Sequence, residues 1–120
     1  MNPNMTALEY TEVVKSRCSD KPEKEISDHS QMIVFYALGL AGEAGEVADL
    51  VKKAIFHNHG LDVTKLKKEL GDVLWYITAL CLKTGLSLDE VMQANADKVR
   101  LRYPDGFNSE DSKKRVDIVT

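Results

Sequence analysis

With 120 residues, 43% of them hydrophobic, the chain is long enough to bury a core as a single domain without disulfides or a structural metal. Its formal net charge of −3 argues against a basic face for nucleic-acid polymers, yet leaves room for an anionic substrate met by a metal or by local Lys and Arg. Cys18 and Cys81 lack metal-ligand spacing, no leader-like start is present, and Met32 to Gly42 falls far short of the roughly 20 apolar residues of a spanning helix, so a soluble cytoplasmic protein with reduced thiols and no membrane partner is expected.

Met1 to Asn4 reads as a frayed end. A first helix is expected over Ala7 to about Arg17. Ser19 to Glu25 is polar, contains Pro22 and reads as a loop. Ser27, Asp28, His29 and Ser30 each offer an N-cap for a long helix over about Gln31 to Phe56. On a helical wheel Ile33, Tyr36, Leu40, Val47, Leu50, Val51 and Ala54 share one arc, with Glu43 at its edge and Glu46 just beyond. Gly39, Gly42 and Gly45 weaken that helix by up to about 1 kcal/mol each relative to Ala. Their use is expected to be close approach of a neighbouring helix or ligand, or a kink.

His57-Asn58-His59-Gly60 carries C-terminal capping chemistry, with the histidines set against the helix dipole rather than serving as ligands. Asp62 or Thr64 caps a third helix running to about Lys83, with Leu66, Leu70, Val73, Leu74, Ile77, Leu80 and Cys81 on its apolar arc. Glu69, Asp72 and Tyr76 lie on one flank of it, and Trp75 falls opposite, as a subunit contact or a base-stacking wall, with the subunit contact favoured. Thr84-Gly85 stops the helix. Ser87-Leu88-Asp89-Glu90 is a capping box that opens a fourth helix, Leu88 to about Arg102, ended by Pro104. The reading is all-α, a four-helix arrangement over residues 1–104, with residues 105–120 as a C-terminal tail or arm.

The chemistry is concentrated in four acids. Glu43 and Glu46 form one i, i+3 pair, and Glu69 and Asp72 form another. On a helix such a pair shares a side, with Cβ atoms roughly 5–6 Å apart. Two like charges at that spacing repel by about 3 kcal/mol at an effective dielectric near 20. Both pairs sit in apolar sequence, so bringing them together calls for a cation between them. An all-oxygen donor set without His or Cys suits Mg²⁺ or Mn²⁺, and phosphoryl chemistry is its natural use. A solvated helix face is the competing explanation for any one such pair.

The ordered set of Gly42-Glu43-Ala44-Gly45-Glu46, Lys52-Lys53, Glu69-Leu70-Gly71-Asp72-Val73-Leu74-Trp75-Tyr76, Asn95-Ala96-Asp97-Lys98 and Arg102-Tyr103-Pro104-Asp105-Gly106-Phe107 resembles the MazG-like branch of the all-α nucleoside triphosphate pyrophosphohydrolases. The resemblance spans about Gln31 to Phe107. It implies a four-helix MazG-like bundle, assembled into a homodimer or homotetramer. It implies Mg²⁺, with Mn²⁺ as a substitute, held by Glu43, Glu46, Glu69 and Asp72. Glu46, and after it Glu43, are the candidates to activate water. The implied reaction cleaves an NTP or dNTP between the α and β phosphates to the monophosphate and pyrophosphate, as nucleotide-pool house-cleaning. Lys53, Lys98 and Arg102, with Lys52, are candidates for the phosphates, Tyr76 for the same ligand, and Asn95 for sugar or base. The competing expectations are a narrower pyrophosphohydrolase, for dUTP, dCTP or phosphoribosyl-ATP, and a non-catalytic helical oligomer with a vestigial metal site.

Overall fold

The computed structural model describes residues 4–18, 29–57, 60–106 and 110. It holds four helices, α1 (Ala7–Arg17), α2 (His29–Phe56), α3 (Val63–Thr84) and α4 (Leu88–Arg102), and no strand among the described residues. The protein is all-α, as expected.

The helix ends follow local chemistry. Thr6 and Glu9 form a capping box at α1: the Glu9 N–H donates to Thr6 Oγ1 at 3.1 Å and the Thr6 N–H to Glu9 Oε1 at 3.0 Å. This box went unread in the sequence. At α3, Asp62 is the cap, its carboxylate accepting from the Lys65 N–H at 3.1 Å. The same helix stops at Gly85, whose φ of 76° is left-handed and favours glycine. The expected Ser87–Glu90 box opens α4, with both bonds at 3.1 Å. Each such cap stabilises its helix by about 1 kcal/mol. The caps proposed at Ser27 and Asp28, the loop from Ser19 and the turn at Asn58 and His59 lie outside the described residues. So does the tail, apart from Asp105, Gly106 and Glu110.

The chain divides into two compact units, residues 1–86 and 87–120. In the first, α3 packs along α2 and also against α1. The core is built from Val14 of α1, Met32 and Tyr36 of α2 and Ala79 of α3, with Tyr10, Cys18, Trp75, Tyr76, Leu80 and Leu82 packed around it. Cys18 Sγ and the Tyr36 hydroxyl meet at 3.4 Å. Thr78 is fully buried and satisfies its hydroxyl by donating to the Leu74 carbonyl at 2.8 Å.

This packing corrects the expected apolar arc of α3. Trp75 does not stand opposite the core. It is half-buried and joins the aromatic group, edge-on to Tyr36 at 6.1 Å and to Tyr76 at 5.2 Å between ring centroids. Leu70 and Leu74, expected inside, are 49% and 39% exposed. A face covered by two helices is wider than one apolar stripe, and here it is turned toward Thr78 and Ala79. Those small side chains carry little weight on a hydrophobicity wheel.

The three α2 glycines also part company. Gly39 faces the Tyr76 ring, the close approach expected of it, whereas a Cβ added at Gly42 or Gly45 would point into open space.

The second unit contains α4. Along that helix run an exposed Gln93 to Asp97 hydrogen bond of 3.0 Å and an exposed Arg100–Asp97 ion pair of 3.8 Å. Beyond the helix, Pro104 and Gly106 form an isolated bridge.

Candidate active site

The α2–α3 contact brings three of the four acids together. Glu43 of α2 and Glu69 and Asp72 of α3 place one carboxylate oxygen each within 4.8 Å of the others. Oxygens on opposite sides of a cation at about 2.1–2.4 Å lie about 4–5 Å apart, so this set spans one ion. Glu43 and Glu69 are half-buried and Asp72 is exposed, which leaves the site open on one side.

The electrostatics record the convergence. Desolvation raises the pKa of Glu43 above 4.5, and the charges of Asp72, Glu69 and Glu46 push it further in the same direction. A hard cation would relieve all three repulsions at once. The phenol of Tyr10, on α1, is also raised, first by burial and then by the charge of Asp72. Tyr10 thus lies within electrostatic reach of the acids. No spacing rule connects a residue of α1 with an acid of α3, and the sequence reading missed it.

Glu43 and Asp72 border a cavity of ≈ 310 Å³ whose other described walls are Trp75 and Tyr76. Tyr76 therefore stands beside the acids, where its spacing one turn after Asp72 put it. Glu46 is not one of the three convergent acids. It is exposed and borders a neighbouring cavity of ≈ 90 Å³, with Asp49, Leu50, Lys53, Lys65 and Glu69. Glu69 is common to both groups.

Among the cations, Lys53 lines the smaller cavity and is ion-paired to Asp49 at 2.9 Å. The shared hydrogen bond raises the Lys53 pKa and lowers that of Asp49. Lys65 lines the same cavity and escaped the sequence reading, because Lys65, Lys67 and Lys68 look alike without the neighbouring helix. Lys52 is exposed on α2. Asn95 and Lys98 are exposed on α4, in the second unit, and Arg102 ends that helix with its guanidinium 5.9 Å from the centre of the Tyr103 ring.

No described helix is long and apolar enough to cross a membrane. A family model for the MazG nucleotide pyrophosphohydrolase domain matches residues 31–107. The gene 37 protein of Mycobacterium phage L5 is 35% identical over 83 residues, which is 66% of this chain and 73% of that protein. No solved structure matches the chain. The family match runs through both acid pairs and across α2, α3 and α4, and the chain therefore belongs to the MazG nucleotide pyrophosphohydrolase family.

Proposed function

We propose that this protein is a Mg²⁺-dependent nucleoside triphosphate pyrophosphohydrolase. It cleaves NTPs or dNTPs between the α and β phosphates to the monophosphate and pyrophosphate, as a cytoplasmic house-cleaning enzyme. The observation that carries this reading is the meeting of Glu43, Glu69 and Asp72 within 4.8 Å, in a chain of the MazG family.

The donor set fits the ion. All three ligands are carboxylate oxygens, which suit Mg²⁺ or Mn²⁺ over softer metals. Bound there, the cation neutralises phosphate charge and acidifies water. The protein's own groups do the rest. Glu43, Glu69 and Asp72 hold and orient the ion. Glu46, exposed and outside the convergent set, takes the proton of the attacking water, with Glu43 as the second acid in reach of it. The Tyr76 hydroxyl donates to the ligand in the larger cavity. Lys53 exchanges Asp49 for a phosphate oxygen. Asn95, Lys98 and Arg102, on α4, are substrate contacts on the family resemblance alone.

Exposed Val34, Phe35 and Leu38 on α2, together with Leu70 and Leu74 on α3, support assembly as a homodimer or homotetramer. The functional test is a panel of ribo- and deoxyribonucleoside triphosphates with Mg²⁺, and an EDTA control. Metal-dependent release of pyrophosphate from several bases is expected. Turnover confined to one nucleotide would narrow the substrate to a dUTP- or dCTP-like specificity. No turnover with any nucleotide would overturn the enzymatic reading.

A further inference from the structure

The cavity beside the acids joins two kinds of surface. Glu43 and Asp72 make one side anionic, and Trp75 and Tyr76 make the other aromatic. Trp75 follows Asp72 by three residues, about 4.5 Å along the helix axis, so the two surfaces are less than one turn apart. The indole is braced by its neighbours. It packs against the core and stands edge-on to Tyr76 at 76° and to Tyr36 at 67°. A volume of ≈ 310 Å³ exceeds the needs of a hydrated cation and lies at the lower end of the range for organic ligands. Its described lining sets an indole and a phenol beside the two carboxylates.

We infer that Trp75 is the stacking wall for the nucleobase, and that its π-surface contributes to the choice of substrate. This rests on the pyrophosphohydrolase reading and adds to it a specificity-determining residue. A ligand with an anionic chain at one end and a flat aryl group at the other matches the two surfaces. Stacking of a base on an aromatic side chain tolerates any base, because every base has a π-face. Purines, with the larger ring system, gain the most from it. The site therefore takes purine and pyrimidine nucleotides alike, with lower KM for purines.

Trp75 is the only tryptophan in the chain, so its emission reports on the wall directly. The wild-type protein would be titrated in Mg²⁺ with α,β-methylene-ATP, which resists cleavage at the proposed bond, and separately with inorganic tripolyphosphate. Calorimetry would follow binding in both titrations. Saturable quenching by the ATP analogue, with tripolyphosphate binding silently, is the expected result. Trp75→Leu should raise KM for ATP between about fivefold and a hundredfold, the range of a lost stacked base. The loss should fall on KM rather than kcat, inhibition by tripolyphosphate should be unchanged, and Trp75→Phe should recover most of the affinity. If Trp75→Leu fails to fold, the wild-type quenching decides the matter alone. An ATP analogue that binds without moving the emission, or equal quenching by tripolyphosphate, would overturn the stacking wall and leave the pyrophosphohydrolase reading intact. Absence of both nucleotide binding and triphosphate turnover would overturn the two together.

Discussion

Gly39 of α2 makes room for the Tyr76 ring of α3: a Cβ on Gly39 would fall 2.6 Å from Cζ and 2.7 Å from Cδ1 of that ring. The ring cannot simply step aside, because Trp75 and Tyr36 stand against it at 5.2 and 6.3 Å between centroids. Gly39→Ala and Gly42→Ala therefore make a matched pair. Both gain helix propensity, about 1 kcal/mol. Only the first must also overpack the aromatic group, at a cost of about 1–3 kcal/mol. Urea unfolding should show Gly42→Ala stabilised by up to about 1 kcal/mol and Gly39→Ala neutral or destabilised by up to about 2 kcal/mol. Equal stabilisation of both would mean that the two helices do not meet at Gly39.

Amide substitutions separate the roles proposed for the acids. Glu69→Gln and Asp72→Asn should lose turnover about 100-fold or more, and should bind Mn²⁺ much more weakly in calorimetry. Glu46→Gln should lose turnover comparably while keeping most of the metal affinity, because its carboxylate is outside the convergent set. In the absence of metal, the variants at Glu43, Glu69 and Asp72 should be as stable as the wild type or more so, since each relieves carboxylate repulsion. Full activity in any one of them would remove that residue from the site.

The raised pKa of Glu43 has a sign that can be measured. The folded protein keeps that proton to a higher pH than the unfolded chain, so between 4.5 and the raised value the folded state binds more protons. Stability of the metal-free protein must therefore fall as pH rises through that window. Glu43→Gln should abolish this contribution to the slope. Asp49 acts oppositely and lower on the scale. Its pKa is held below 3.8, so its contribution is present above that value and lost on further acidification. Chemical unfolding from pH 3 to 7, in wild type and in each variant, separates the two. A Glu43→Gln profile identical to wild type would contradict the convergence of charge on Glu43.

Lys53 is expected to serve substrate rather than fold. Its pair with Asp49 is exposed on both sides, the kind of contact that adds little to stability. Lys53→Ala should leave the unfolding midpoint close to that of wild type and raise KM for nucleoside triphosphates several-fold, with stronger salt dependence removed along with the charge. An unchanged KM would make Lys53 a partner of Asp49 and nothing more.

Much of this was legible in the sequence because it is local. Capping chemistry at Asp62, Gly85 and Ser87 marks helix ends through bonds to residues three or four positions away. The two acid pairs were legible as ordered spacing. What spacing cannot give is rotation about the helix axis. Residues three apart on a helix differ by about 60° in direction, so a pair that shares a side need not share a target. Glu43 faces the α3 acids and Glu46 turns to the neighbouring cavity. The same limit misjudged α3. Leu70 and Leu74 weigh heavily on a wheel and are exposed, whereas Trp75 lies against the core because α1 and α2 both cover that side of the helix. Tyr10 and Lys65 acquire meaning only from neighbours on other helices.

The central claim is that Glu43, Glu69 and Asp72 hold the cation for cleavage between the α and β phosphates. The most direct test is ³¹P NMR of wild-type protein turning over a nucleoside triphosphate while Mg²⁺ is titrated, with Asp72→Asn run beside it. The account predicts monophosphate and pyrophosphate signals growing in equal amounts, dependent on Mg²⁺ and lost in the variant. Diphosphate with inorganic phosphate, or undiminished pyrophosphate release by Asp72→Asn, would contradict it.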